Sequence, residues 1–261
     1  MRHVILGLLL CAGSAVADTL SDADVLFLGE VHDNPAHHAR QAEIVAEVQP
    51  RAIVWEMLDP EAMPRITPDL IADEAALGAA LNWADSGWPA FSMYYPIFVA
   101  APEAAHFGAQ VPRDAARAVM SQTLVEAFGE NAARFGLDRP LPVGQQERRE
   151  ALQMAAHCDA LPADILPMMV DIQRLRDARL AAAALEALEA TGGPVAVITG
   201  NGHARKDWGA PALLALAAPD VSILALGQGE NEGAAPDGGF DLIESAPPVD
   251  RPDPCEAFRA R

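Results

Sequence analysis

Apolar positions along the chain gather in short runs, polar mainly at their ends, within 24–30, 51–57, 107–111, 194–200 and 221–227. Runs of this length that are apolar rather than alternating fit strands covered on both faces, as in a parallel sheet. Between them lie stretches with helical spacing: 35–48, 73–86, 113–128, 148–157, 167–189 and 211–217. The first of these opens with Asn34 as an N-cap and Pro35 in the first turn, a combination that leaves no backbone donor stranded at a helix start. Strand and helix in alternation predict an α/β fold, a mostly parallel central sheet with helices on both faces. Two stretches break the alternation. One runs from a Pro-rich, acidic segment into an aromatic one; the other is rich in Gly and Pro. They predict a helical cap, inserted at about 58–105 and 128–165, over the carboxyl edge of the strands. Residues 227–239 are Gly-rich and acidic and predict a surface loop.

The amino end reads differently. Arg2 and His3 precede the apolar run Val4 to Cys11, and Ala15-Val16-Ala17 follows. A charged start, an apolar stretch too short to span a bilayer and an A-x-A site predict a secretory signal peptide at 1–17. The remaining 18–261 then form one α/β domain in the periplasm or outside the cell, with no transmembrane candidate. Leu10 stands before Cys11, where lipoprotein processing needs a small residue, so lipid anchoring is not expected. With the leader removed, Cys158 and Cys255 remain. Bridged in an oxidising compartment, they would staple the Pro-rich tail to the body; unbridged, they are two thiols.

Charge narrows the function. The chain has 18 Lys and Arg against 37 Asp and Glu, a formal charge of −19. Recognition of nucleic acid through a basic surface is excluded, because phosphate contacts need cations, and docking on anionic lipid is disfavoured.

Candidate chemistry lies at strand ends. Gly29-Glu30-Val31-His32 follows the first run and Gly200-Asn201-Gly202-His203 the fourth, while Glu56 sits at the end of the second. In a parallel sheet all carboxyl ends share one edge, where ligands bind. Glu30, His32, Glu56 and His203 can therefore meet although they span the chain. Two histidines and a carboxylate suit a divalent metal such as Zn or Mn, held by His32, Glu56 and His203. The same residues suit acid–base work, with Glu30 as general base and Asn201 as a donor to developing negative charge. Each residue alone also fits a hydrogen-bonded strand end. His37 and His38, in the first turn of the first helix, either line the crevice or begin an exposed helix; His106 and His157 read as structural. Aromatic residues are only 5% of the chain, yet Trp83, Trp88, Phe91, Tyr94, Tyr95 and Phe98 cluster. Such a segment can wall a flat apolar ligand, or pack on the core.

Taken in order, Gly29-Glu30-Val31-His32-Asp33-Asn34-Pro35-x-His37-His38-x-x-Gln41, Trp55-Glu56-Met57, Gly87-Trp88-Pro89, Tyr94-x-Pro96-Ile97, Gln173-x-x-Arg176-Asp177 and Gly200-Asn201-Gly202-His203 resemble the ChaN-type haem-binding family of the Tiki superfamily. The resemblance covers nearly all of the mature chain, about residues 24–227. It implies an exported bacterial protein of haem or iron uptake, with haem as cofactor and partner and a homodimer around a cofacial haem pair. Tyr94 best matches the family's ligating tyrosine, with Tyr95 beside it. His37, His38 and Trp88 would line the crevice, and Arg113 would meet the propionates. The acidic total charge counts against a dianionic ligand. Tiki-type relatives instead imply a metal-dependent hydrolase on His32, Glu56 and His203.

Overall fold

The computed structural model describes Leu20, residues 22–230, residues 235–253, and Cys255 with Glu256. The predicted leader at 1–17 lies outside the described residues.

Six strands form one sheet: β1 (Val25–Glu30), β2 (Ala52–Trp55), β3 (Ala105–Gly108), β4 (Val195–Gly200), β5 (Ile223–Gly229) and β6 (Leu242–Ser245). Their order is β3-β2-β4-β1-β5-β6, and every pairing is parallel. The expected α/β architecture is therefore present. Successive side chains of one strand point to opposite faces, so the apolar runs feed two cores. Val25, Phe27, Val54, Val195 and Val197 face one of them. Leu26, Leu28, Ile53, Trp55, Ala196 and Ile198 face the other.

Helix α1 (Pro35–Val48) matches its sequence prediction end to end, because its capping signals are local: the Asn34 side chain accepts from the Ala36 N–H. Helix α2 (Phe91–Ala100) lies beside α1 and buries Tyr94, Ile97 and Phe98. Trp55 stacks on Phe98 with ring centroids 4.1 Å apart and donates its indole N–H to His106. His106 is thus structural, and burial holds its pKa down at about 4. Helices α3 (Val143–Ala156), α4 (Leu166–Thr191) and α5 (Ala210–Ala217) complete the main set. The 26-residue α4 spans the core on the opposite face from α1 and α2.

Several boundaries differ from expectation. The third strand lies at Ala105–Gly108, not 107–111, and the sheet gains β6. The helix expected over 113–128 is broken into Arg113–Ala118 and Leu124–Phe128. Thr123 caps the second piece in a reciprocal box with Glu126, and that cap restarts the helix. Cys158 and Cys255 are joined, 97 residues apart, with Cα atoms 5.5 Å apart. A closure of that length is worth about 4–5 kcal/mol on the chain-entropy model. No helix among the described residues is long and apolar enough to cross a membrane.

The topology also decides which residues meet. Strand β4 lies between β1 and β2, so the three carboxyl ends are adjacent. Glu30 pairs in register with Gly200, and the Glu56 N–H donates to the carbonyl of Ile198.

Candidate functional site at the carboxyl edge

A cavity of about 930 Å³ opens at this edge. His32, Glu56 and His203 line it from the strand ends, Trp88 and Arg113 from the connections, and Gln173 with Arg176 from α4. Five of the sequence-predicted site residues therefore share one wall system: His32, Glu56, Trp88, Arg113 and His203.

Behind the wall sit two buried Glu/His nests. In the first, Glu30 is 2% exposed. Its Oε1 accepts from the Tyr94 hydroxyl at 2.9 Å and pairs with His32 Nδ1 at 2.7 Å. Its Oε2 lies 3.3 Å from His38 Nδ1. Burial alone would raise the Glu30 pKa, but the hydrogen bonds and charges of His32 and His38 outweigh it and hold the carboxyl at about 2. Burial likewise works against the charged form of His32. The Glu30 hydrogen bond and the charge of Glu56 prevail and lift its pKa to about 9. His38 is raised by the same carboxylate, against burial.

The second nest is built around His203. Its Nδ1 lies 2.6 Å from Asp177 on α4, and its Nε2 lies 3.7 Å from Glu56 Oε1. Glu56 Oε2 accepts from the Thr199 hydroxyl at 2.6 Å and from the Gly200 N–H at 2.8 Å. Burial opposes the charged forms of both. The charges of His203 and His32 keep Glu56 below its usual range, and Glu56 with Asp177 lifts His203. An imidazole fixed at Nδ1 by a carboxylate, with Nε2 directed at a second one, can hold or deliver a proton at Nε2.

Glycine makes both nests possible. A Cβ at position 200 would stand 2.9 Å from His32 Nε2, and one at position 29 would stand 2.5 Å from Asn201 Oδ1. The two Gly-x-x-His turns pack against each other at distances that no side chain allows.

The other expected site residues do not line this cavity. Tyr94 is fully buried, with its hydroxyl committed to Glu30. Burial and that carboxylate's charge push its pKa upward, away from a ligating phenolate. The Tyr95 hydroxyl donates to the Ile71 carbonyl. His37 is fully buried: its Nδ1 accepts from the Val31 N–H, Nε2 donates to the Gly229 carbonyl, and burial lowers its pKa. His38 is equally buried, with Nε2 donating to the His32 carbonyl. Neither lines the cavity. Glu30 is an anchor and not an accessible base. Asn201 both donates to the Gln228 carbonyl and accepts from its N–H, tying β4 to β5, so it is not a free donor. Among the described residues, no group of three or more His, Cys, Asp or Glu side chains is placed to hold a metal ion. The expected set of His32, Glu56 and His203 has its atoms at Nδ1, Oε2 and Nδ1 already committed.

Gln173 and Arg176 on the cavity wall, and Asp177 against His203, are positions whose roles the sequence left open. Their spacing of three and four residues on one helix is the signal that places them on a common face.

A parallel sheet with a Glu/His edge beneath a cavity to which the aromatic segment contributes Trp88 alone defines an α/β architecture with a ligand-sized cavity. The family model for ChaN, described as haem-binding uptake in the Tiki superfamily, matches residues 16–214, and the chain belongs to that family. Among solved structures, the fold resembles ChaN of Campylobacter jejuni, described with cofacially bound haem. The TM-score is 0.66 at 19% identity, over 89% of this chain and 91% of that one. The type III effector HopBA1 aligns over 90% of this chain and 92% of its own, with TM-score 0.48 and 11% identity. No curated protein matches the chain.

Proposed function

We propose that this protein binds haem in the carboxyl-edge cavity and serves haem or iron uptake after export through the leader at 1–17. One observation carries the reading: His32, Glu56, Trp88, Gln173, Arg176 and His203, which all fall within the stretch that the family model matches, line a single cavity of about 930 Å³. That volume sits near the top of the range for small-molecule sites. The Trp88 ring, which meets His32 edge-on at 4.9 Å, offers an aromatic wall. Arg113 and Arg176 offer guanidinium groups to the two propionates, which offsets locally the acidic charge of the whole chain. Bound haem would supply a redox-active iron and a strong visible absorbance.

His32 is the proposed iron ligand in place of Tyr94. Its Nδ1 is fixed by Glu30, which leaves Nε2 over Gly200 at the cavity. A carboxylate on the far nitrogen of a ligating histidine orients the ring and raises its basicity. Tyr94 is a positioning residue that holds Glu30. As the family resemblance implies, two copies are expected to face each other around haem.

Haem titration of the full chain, read by Soret absorbance, tests this. Saturable binding is expected, weakened at least about tenfold in His32→Ala and retained in Tyr94→Phe. Because Nε2 must lose its proton to bind iron, the apparent affinity should rise about tenfold per pH unit and level off near the His32 pKa of about 9. Sedimentation of the same samples should show a haem-dependent dimer. A Soret band lost in Tyr94→Phe but kept in His32→Ala would overturn the ligand assignment, and no saturable band would overturn the reading itself.

A further inference from the structure

On the other side of His203 from the main cavity lies a second one of about 330 Å³, between α3, α4 and the turn after β4. The haem reading does not use it. Leu152, Ala156, Val170 and Trp208 give it apolar wall, and the carboxylates of Asp177 and Asp237 line it too. Set into these walls is Arg149, only 8% exposed. Its Nη2 donates to the Trp208 carbonyl at 3.1 Å, and its guanidinium lies 5.2 Å from the Trp208 ring centroid. Its Nε is buried and has no hydrogen-bond partner.

The nearby carboxylates do not satisfy it. Asp177 is committed to His203, and Asp237 is paired with Arg205, which also holds Asp207. Arg149 therefore has no ion pair of its own among the described residues. Burial accordingly lowers its pKa to about 10. A buried guanidinium without a counter-charge is strongly unfavourable unless an anion reaches the terminal nitrogens on its cavity side.

We propose that this second cavity is a binding site for a small organic anion, with Arg149 taking its carboxylate or phosphoryl oxygens and the apolar walls taking its body. Guanidinium recognises both oxyanions through the same planar donors, and the volume suits a compact ligand. The site shares Gln173 and His203 with the haem cavity, but Arg149 lines only the second one, and the proposal does not rest on the haem reading.

Thermal unfolding of the full chain with benzoate, phenyl phosphate or inorganic phosphate, against sodium chloride at equal ionic strength, tests it. A saturable rise in Tm is expected with an organic probe. Benzoate alone assigns a carboxylate ligand, and phenyl phosphate alone a phosphate monoester. Arg149→Met should fold and should weaken the apparent affinity about 10- to 100-fold. Gly202→Leu leaves Arg149 in place and points a side chain into open space at the site. It should block the rise too, and it decides the matter if Arg149→Met is poorly folded. The proposal is overturned if no probe exceeds sodium chloride, if inorganic phosphate acts as strongly as phenyl phosphate, or if both variants respond as the parent does.

Discussion

The two Gly-x-x-His turns share a spacing and end in the same chemistry, a histidine fixed at Nδ1 by a buried carboxylate, but they reach it by different routes. His32 takes its partner from two residues earlier in the chain, Glu30, at 2.7 Å. His203 takes its partner from α4, where Asp177 lies at 2.6 Å across 26 residues of sequence. The first nest is written into one strand end. The second exists only because α4 crosses the sheet with Asp177 pointing inward. A short local pairing is set once β1 ends, whereas the remote pairing depends on helix register.

This contrast can be broken from either side. The largest effect is expected at Glu30, the hub of the local nest. Glu30→Leu leaves the Tyr94 hydroxyl, His32 and His38 without their common acceptor and should destabilise the fold by about 3–5 kcal/mol. Denaturant unfolding measures this, and a loss under 1 kcal/mol, within surface-substitution range, would mean that the nest is not a hub.

A smaller effect is expected at the remote pairing. Asp177→Asn removes the carboxylate from His203 but keeps a polar side chain in place. The expected loss is about 1–3 kcal/mol, with a fall in the His203 pKa that NMR titration would report. An unmoved His203 pKa would show that Glu56 alone sets it.

The smallest effect is in pH dependence. The His32 pKa is raised in the fold, so its stabilising contribution is full below the unfolded value of 6.5 and is lost as pH rises through about 9. The His32 side chain is 36% exposed, and solvent screening reduces the expected loss across that window to about 1–2 kcal/mol. His38 and His203 are raised as well and add to the slope, so His32→Gln should flatten it in part. An unchanged slope in that variant would assign it to the other two.

Much of this was legible in the chain. Helix α1 begins where Asn34 and Pro35 place it, because capping is a local matter. The five apolar runs locate β1, β2 and β4 well, β5 two residues early and β3 two residues late. Strand β6 escaped notice: its residues alternate between half-buried and exposed at a sheet edge, without the apolar run that marks the interior strands. The break at Thr123 leaves no mark in the periodicity, because a capping box inside an otherwise helical pattern reads as helix.

The sequence by itself determined the α/β class, the shared carboxyl edge, and the presence there of Glu30, His32, Glu56 and His203, since strand runs and the residues that end them are local properties. Tertiary structure decided which of them face the cavity. Tyr94, the favoured ligand by motif, turns inward to Glu30 because α2 packs its buried face on the sheet beside α1. Arg149, prominent in no motif, becomes a buried cation only because α3 folds against α4. Burial and partnership depend on which elements meet, and no spacing along one chain segment encodes that.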